Sequence, residues 1–297
     1  MELPSELVRR VSGTFGAAAE VWLARLPHIL RELQERWELE LGAPFADLSY
    51  HYVLRARRAG QALVLKVGVP NPEMAHEIRA LELFAGRDTV RLVASDVDAG
   101  AQLLEEVLPG GDLWQVGEDD AARIAGPIMR RLPLPAPDDA HAFPTLDDWA
   151  GAFDRYDLRF PDGGPLPAAQ LELARALFRE LPAAGAAPLL LHGDLHHANV
   201  LRAERQPWLV IDPKGVVGDR AFEAACFLRN AFERSADPRA TLEGGAVVLS
   251  EALEVERDHV LRWTLAHAVL SAVWSVEDDQ SAYERALACA ELAESLL

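Results

Sequence analysis

The chain has 297 residues, 47 of them acidic and 29 basic, so its formal net charge is −18. Half of the residues are hydrophobic, which is typical of a globular protein rather than of a disordered or collagen-like one. The acidic balance argues against duplex DNA and anionic lipid as partners, because both require a basic surface. No apolar run approaches the roughly 20 residues of a membrane span. Two cysteines and a start without the features of a signal peptide lead us to expect a cytoplasmic protein.

The basic residues are unevenly distributed between the two types. Of the 29, 27 are arginines and only two are lysines, Lys66 and Lys214. The two types are nearly interchangeable on exposed surfaces, whereas a compact ammonium and a wide guanidinium fork suit different sites. We therefore treat both lysines as candidates for sites that require an ammonium group.

The first third of the chain predicts a helix followed by strands. A change from helical spacing to alternation marks the start of a hairpin, with Lys66 near the end of its second strand. Asn71 and Pro72 then favour the start of another helix. The predicted elements are a helix over 17–41, strands over 50–57 and 62–67, a helix over 72–85, and strands over 90–97 and 101–107.

The rest of the chain is mainly helical in pattern. Two short apolar runs, 188–191 and 208–211, enclose the polar segment 192–199. Helices are predicted near 145–155 and 167–182 and from 219 to the end, after a proline-rich connection over 132–145. We predict an α+β fold, with N-terminal helices, an antiparallel sheet and a helix in residues 1–106 and a larger helical part in residues 107–297.

The polar segment 192–199 contains three histidines, an aspartate and an asparagine. Buried polar groups are costly unless they are satisfied, so this density indicates a functional site. Two interpretations compete. In one, the histidines and Asp194 bind a metal ion, as in a hydrolase. In the other, Asp194 and Asn199, five residues apart, are the base and a magnesium ligand of a phosphoryl-transfer loop.

The phosphoryl-transfer interpretation requires further features, and the sequence contains them. Asp212 follows the run 208–211 and offers a second oxygen ligand for magnesium. Lys66 on a strand and Glu77 on the next helix can form the ion pair that holds nucleotide phosphates. The segment 104–110 offers a backbone hinge for the nucleotide base. The metallohydrolase interpretation leaves these residues without a role, and the remaining histidines are scattered along the chain.

Two blocks of the sequence resemble a known family. Residues 191–201 (LHGDLHHANVL) and 211–218 (IDPKGVVG) are similar to the aminoglycoside phosphotransferase group, which shares the protein-kinase fold. They are closer still to its branch of streptomycin 6-kinases and hydroxyurea-resistance kinases. Weaker similarity at 274–278 and in the N-terminal part extends the resemblance over nearly the whole chain.

The resemblance implies how phosphoryl transfer would occur. Asp194 would accept or orient the proton of the acceptor hydroxyl, and Asn199 and Asp212 would hold Mg²⁺ against the triphosphate of ATP. We add a hypothesis for Lys214, which lies two residues after Asp212. Its ammonium group is expected to stabilise charge at the transferring phosphoryl group, and the alternative is a surface lysine in a turn.

The resemblance also implies a nucleotide site. Lys66, paired with Glu77, would contact the α- and β-phosphates, and the backbone near Glu105 and Val107 would bind the adenine. One departure concerns the Gly/Ser-rich turn that covers the phosphates in similar enzymes.

In this chain the corresponding stretch, 46–51, has no glycine. Its backbone therefore cannot approach phosphate as freely, and Asp47 adds negative charge. Ser49 is the residue of this stretch that we assign to nucleotide binding.

The acceptor is expected to bind in the helical part. Trp263, His267, Leu270 and Trp274 share one helix face, which is either a core stripe or an aromatic wall. Carboxylates at the end of this face would suit guanidinium or ammonium groups, and Glu223 offers either a further carboxylate or a helix-packing contact. The candidates for acceptor binding are Glu223, Trp274, Glu277 and Asp278, with Asp279 beside them.

The predicted function is ATP- and Mg²⁺-dependent transfer of the γ-phosphate to a hydroxyl of a small, cationic acceptor, with an aminoglycoside such as streptomycin as the first candidate. One alternative is a kinase of another small metabolite, such as an amino sugar or hydroxyurea. Another is a weakly active or non-catalytic nucleotide-binding relative, in line with the missing glycines. We expect a monomer or weak homodimer without nucleic-acid or membrane partners.

Overall fold

The computed structural model describes residues 3–46, 48–139, 143–182, 187–278 and 283–297. The chain divides into two units, Met1–Leu108 and Pro109–Leu297, called the first and the second unit below. The first unit combines helices with an antiparallel sheet, and the second is mainly helical. The predicted α+β class is therefore confirmed. Across the described ranges, no helix has the length and apolar character that a membrane crossing needs.

The strands of the first unit form one antiparallel sheet. Its elements are α1 (Ser5–Phe15), α2 (Ala17–Arg36), β1 (Glu40–Pro44), β2 (His51–Arg58), β3 (Gln61–Gly68), α3 (Pro72–Phe84), β4 (Leu92–Asp96) and β5 (Ala101–Glu105). The strand order is β1-β2-β3-β5-β4. The predicted hairpin of β2 and β3 turns at Ala59 and Gly60, whose φ angles of 49° and 83° suit the twist of a two-residue hairpin turn. The register sets Lys66 on the central strand, opposite Val53 and Gln102.

The core of the first unit lies between the N-terminal helices and the sheet. Trp22, Leu26 and Leu33 of α2 belong to the same buried cluster as strand residues such as Leu65. The helix predicted over 17–41 is too long. It ends at Arg36 because Glu38 has a left-handed backbone (φ 53°) and the following residues pair with β2 as strand β1. N-terminal helices were predicted, but the sequence analysis gave no bounds for α1.

The second unit consists of helices and two small sheets. Its elements are β6 (Pro109–Asp112), α4 (Glu118–Arg131), β7 (Leu134–Pro135), α5 (Leu146–Arg159), α6 (Ala168–Glu180), β8 (Leu189–Leu191), β9 (Val200–Ala203), β10 (Trp208–Val210), β11 (Val216–Gly218), α7 (Ala221–Arg234), α8 (Pro238–Leu253), α9 (Arg257–Glu277) and α10 (Tyr283–Ser295). The sheets have the orders β10-β9-β6 and β11-β8-β7, and neighbouring strands are antiparallel.

These two sheets bring the polar segments of the sequence together. Residues 192–199 connect β8 to β9, and residues 211–215 connect β10 to β11. Because β8 pairs with β11 and β9 with β10, the two connections run side by side. The backbone nitrogen of Lys214 donates to His192 O at 2.7 Å, and that of Ile211 donates to Asn199 O at 2.9 Å.

Helix α9 runs through the middle of the helical part. It packs against α5, α6, α7, α8 and α10, and the side chains of Trp263 and Leu270 have no solvent exposure. Of the two alternatives for this helix face, a core stripe or an aromatic wall, the structure shows a core stripe at Trp263 and Leu270.

Candidate functional site

Lys66 and Glu77 form the predicted ion pair. The Lys66 ammonium lies 2.7 and 2.9 Å from the two carboxylate oxygens of Glu77, and both residues are more than nine-tenths buried. Asn71 caps the helix that carries Glu77, since its side chain accepts a hydrogen bond from the backbone nitrogen of Met74 at 3.1 Å. A buried charge is costly without its partner, so this pair fixes the ammonium on β3.

The loop of residues 192–199, called the Asp194 loop, begins with a buried histidine. His192 accepts the backbone N–H of Asp194 on Nδ1 at 3.2 Å, so its proton sits on Nε2, which donates to Ile211 O at 2.8 Å. Burial lowers the pKa of His192 to about 4, which keeps the ring neutral. His192 is therefore a structural histidine whose ring is bonded to the backbone on both nitrogens.

Glu223, on α7, is hydrogen-bonded to the backbone of the same loop. Its carboxylate, with no exposed surface, accepts the backbone nitrogen of His192 at 2.5 Å and that of Gly193 at 3.2 Å. Burial raises the pKa of Glu223 to about 8. The proposed contact of Glu223 with the acceptor does not fit this location, because both oxygens bond to the loop backbone and the side chain has no surface for a ligand.

Gly193 meets two demands of the loop backbone. Its φ angle of 83° lies in the left-handed region. A Cβ at this position would lie 2.8 Å from a methyl carbon of Val216 and 3.1 Å from the Trp149 ring. The loop therefore needs glycine immediately before Asp194.

The side chain of Asp194 is one-third exposed, so it can meet a substrate. Its Oδ1 lies 3.6 Å from the Cys226 thiol, within reach of a weak S–H hydrogen bond, and 3.7 Å from His196 Nε2. Burial, first of all, and the charge of Asp194 raise the pKa of Cys226 well above its ordinary value. The thiol is thus a neutral donor beside Asp194 and not a nucleophile.

Asn199 and Asp212 occupy neighbouring chain segments. The amide nitrogen of Asn199 donates to Asp194 O at 2.9 Å, so the amide oxygen is the atom that remains to serve as a metal ligand. Asp212 lies two residues after the end of β10 and has a left-handed backbone, with φ 58°. In the described ranges no group of three or more His, Cys, Asp or Glu side chains is arranged to hold a metal ion. A divalent ion bound by these two hard oxygen ligands would take its other ligands from water and phosphate.

His197 props the loop rather than lining the site. Its ring is stacked between Trp114 and Phe227, with centroid distances of 3.9 Å on both sides. Neither ring nitrogen has a hydrogen-bond partner in the described part of the chain, and burial lowers the pKa of His197 to about 3. The guanidinium of Arg234 covers the outer face of Trp114 at 4.3 Å. The stack thus holds the turn that carries Asn199.

The other predicted nucleotide residues lie in the first unit and at its edge. Ser49 is exposed. Glu105, the last residue of β5, and Val107, two residues later, are partly buried. Lys214, in the second unit, is exposed. The carboxylate of Glu105 lies 4.0 Å from Arg91. Asp47 is outside the described residues. The roles assigned to these positions stay predictions.

The four candidates for acceptor binding differ in exposure and in their contacts within the protein. Trp274 is partly buried and meets Trp149 edge to face at 5.5 Å. Glu277 forms a two-point ion pair with Arg155, at 2.8 and 3.1 Å, which neutralises its charge. Asp278 is exposed at the end of α9, and Asp279 lies outside the described residues. Trp274 and Asp278 are thus better placed to meet a ligand than Glu277 and Glu223.

The comparison with family models decides the affiliation. The model described as "Aminoglycoside/hydroxyurea antibiotic resistance kinase" matches residues 36–279. The chain belongs to this kinase family. A streptomycin 6-kinase of Streptomyces glaucescens is 32% identical over 96% of this chain and 94% of its own length. A hydroxyurea phosphotransferase of Kitasatospora aureofaciens is 35% identical over 98% of this chain and 86% of its own. The resemblance drawn from the two motif blocks is confirmed.

A solved structure agrees on the architecture of this kinase. Choline kinase LicA from Streptococcus pneumoniae matches with a TM-score of 0.63 at 12% identity, over 89% of this chain and 98% of that chain. A likeness at such low identity establishes the fold and not the activity. The predicted protein-kinase-like fold is confirmed.

The supports of the Asp194 loop in this kinase were missed or misassigned in the sequence. Three neighbouring residues of α7 contact the loop. Glu223 accepts hydrogen bonds from the loop backbone, Cys226 contacts Asp194, and Phe227 stacks on His197. One signal was available, because Glu223 lies in the otherwise apolar run 221–228. A lone carboxylate in such a run predicts a buried acid with backbone partners.

Proposed function

We propose that this kinase transfers the γ-phosphoryl group of ATP directly to a hydroxyl of a cationic aminoglycoside, with streptomycin as the first candidate. The hydroxyl oxygen attacks the γ-phosphorus, its proton passes to Asp194, and ADP leaves with the bridging oxygen. The products are the phosphorylated acceptor and ADP. Catalysis of this kind depends on positioning and on charge stabilisation, without a phosphoenzyme.

One observation carries the proposal. The partly exposed carboxylate of Asp194 lies on a loop whose backbone is bonded to Glu223, and the same loop holds Asn199 next to the segment after β10 that contains Asp212. A protein that only binds nucleotide has no need for a base held in this way. The relatives named streptomycin 6-kinase and hydroxyurea phosphotransferase support the same reaction class.

We assign the bound groups as follows. Asn199 and Asp212 would hold Mg²⁺, which neutralises phosphate charge when it is bound. The Lys66 ammonium, oriented by Glu77, is proposed to contact the α- and β-phosphates. The proposal extends to four further positions: Lys214 at the transferring phosphoryl group, Ser49 at the phosphates, and the backbone near Glu105 and Val107 at the adenine.

The negative charge of the protein supports a cationic acceptor. The chain carries a net charge of −18, and the exposed Asp278 caps α9 four residues after the partly buried Trp274. A guanidinium group can stack on an indole and pair with a carboxylate at once. We further propose that the protein acts in the cytoplasm as a monomer or weak homodimer.

A second candidate acceptor is small and neutral, such as hydroxyurea. The pairing of Glu277 with Arg155 favours it, because this carboxylate is already neutralised by the protein. The variant Arg155→Ala separates the candidates. Freeing Glu277 should lower the KM for a cationic acceptor and leave the KM for hydroxyurea unchanged.

The experiment that tests the function is an ADP-release assay with streptomycin, amino sugars and hydroxyurea as acceptors, followed by ³¹P and ¹³C NMR of the product to locate the phosphate. Asp194→Ala serves as the control, and the loss of a general base should lower kcat by roughly 10²–10⁴. Tight Mg-ATP binding without turnover of any acceptor would contradict the proposal and favour a non-catalytic relative.

A further inference from the structure

The two oxygens of the Asp194 carboxylate have different surroundings. Oδ1 lies 3.6 Å from Cys226 Sγ and 3.7 Å from His196 Nε2, whereas no hydrogen bond to Oδ2 occurs among the described residues. The distance to His196 is too long for a hydrogen bond. The imidazole is held by its own turn instead, since Nδ1 accepts the backbone N–H of Ala198 at 3.2 Å. In the described part of the chain, the Cys226 thiol is thus the one side-chain donor within reach of this carboxylate.

The surroundings of Cys226 direct its S–H group toward Asp194. The residue is 1% exposed, so solvent does not compete for the thiol proton. Asn230, one turn later on α7, donates from Nδ2 to Cys226 O at 2.9 Å, and the same nitrogen lies 3.8 Å from Sγ. The amide therefore presents a donor to the sulfur and not an acceptor. A buried donor needs an acceptor, and Oδ1 of Asp194 is the acceptor in reach.

The contact adds a restraint that the backbone of the Asp194 loop does not supply. Glu223, three residues before Cys226 on α7, bonds to the backbone nitrogens of His192 and Gly193. These bonds fix the chain before Asp194 but leave the torsions of its partly exposed side chain free to choose among rotamers. A hydrogen bond to Oδ1 removes this freedom. Phosphoryl transfer depends on positioning, so the orientation of the base matters for the rate.

We propose that Cys226 is a positioning residue for Asp194. Its S–H···Oδ1 hydrogen bond holds the carboxylate so that Oδ2 receives the proton of the acceptor hydroxyl. The inference rests on the proposed function, in which Asp194 is the base. The thiol keeps its proton during turnover and forms no bond to the substrate.

Infrared spectroscopy of the whole protein tests the hydrogen bond without any substrate. The sequence contains only two cysteines, Cys226 and Cys289, and the S–H stretching band lies where few other protein groups absorb. The spectrum of Cys226→Ala assigns the two bands. In Asp194→Ala the Cys226 band should move to higher frequency, because the thiol loses a charged acceptor, and the Cys289 band should stay in place. A Cys226 band that does not move would overturn the proposal.

Kinetics test the positioning role. Cys226→Ala should lower kcat about three- to tenfold, as expected for the loss of one hydrogen bond. The KM values for acceptor and Mg-ATP should stay within about twofold, because the groups that bind them are unchanged. Cys226→Ser places an O–H donor at the same position and should restore kcat to within about twofold of the wild type. Cys289→Ala, the same substitution at a buried cysteine of α10, is the matched control and should leave kcat unchanged.

The outcomes separate this inference from the proposed function. A wild type that turns over no acceptor contradicts both. Turnover by the wild type, with Cys226→Ala equally fast, overturns the role of Cys226 alone. The same holds if Cys226→Ser is as slow as Cys226→Ala while its melting temperature equals that of the wild type.

Discussion

Glu223 accepts a 2.5 Å hydrogen bond from the backbone nitrogen of His192, 31 residues earlier in the chain, although no part of its side chain is exposed to solvent. The partner of this carboxyl group is an uncharged N–H, so no cation in the contact would balance the negative charge that appears when the group ionises. Burial is accordingly the main reason that its pKa rises to about 8. We therefore expect the stability of the protein to depend on pH through Glu223.

We predict that Glu223 lowers the stability of the wild type as the pH rises from about 4.5 to about 8. The folded state holds the proton of Glu223 with a pKa of about 8, against an ordinary value of 4.5. The stabilisation is therefore complete below pH 4.5 and is lost as the pH rises through 8. Urea unfolding of the wild type and of Glu223→Gln, which cannot ionise, measures this dependence at each pH. A difference between the two proteins that stays constant from pH 5 to pH 8 would rule out this titration.

We predict that Lys66→Met lowers the free energy of unfolding by about 3–5 kcal/mol, because the buried carboxylate of Glu77 loses its ammonium partner. The double variant Lys66→Met/Glu77→Leu should recover most of this loss. The exposed pair Arg79–Glu82 on the same helix is the control, and Arg79→Met should cost about 0–1 kcal/mol. Additive effects of the Lys66 and Glu77 substitutions in urea unfolding would contradict the coupling.

We predict that His197→Phe keeps or slightly increases stability, whereas His197→Ala costs about 3–5 kcal/mol. Phenylalanine preserves the stack with Trp114 and Phe227 and removes two ring nitrogens that lack partners. Thermal unfolding and kcat are the measurements. If His197→Phe abolished turnover while its melting temperature stayed normal, the ring nitrogens would have a chemical role that a structural prop lacks.

We predict that Lys214→Ala lowers kcat by roughly 10²-fold, as expected for the loss of one group that stabilises transition-state charge. Lys214→Arg should recover only part of the rate, because a planar guanidinium does not replace a compact ammonium. Arg239→Ala, at an exposed position of α8, is the control for a general change in charge. A kcat and KM within about twofold of the wild type in Lys214→Ala would assign Lys214 to the surface.

Much of the fold and the centre of the site follow from local sequence. The hairpin around Ala59 and Gly60 and the helix capped by Asn71 have strong local signals, and they bring Lys66 and Glu77 together. The Asp194 loop is recognisable because its polar residues lie between two apolar strands. Strands β6, β7, β9 and β11 were not predicted, since segments of two to four residues have no periodicity to detect.

The supports of the loop depend on contacts that are distant in sequence. Cys226 lies 32 residues from Asp194, and Trp114 meets His197 from a different part of the chain. The misassignment of Glu223 has the same origin, because a carboxylate on a helix offers no local sign of whether it points to a ligand or to a loop. The ion pair of Glu277 with Arg155 joins residues that lie 122 positions apart, so the local sequence did not predict it either.

The supports on α7 also bear on how acceptor preference can change by mutation. Glu223, Cys226 and Phe227 lie on α7 beneath the Asp194 loop, whereas Trp274 and Asp278 lie at the end of α9. A substitution at the end of α9 therefore leaves the loop contacts of α7 in place. Laboratory selection for a new antibiotic acceptor should accumulate changes near residues 274–278 and spare residues 223–227, so a single scaffold can diversify its substrates without rebuilding its chemistry.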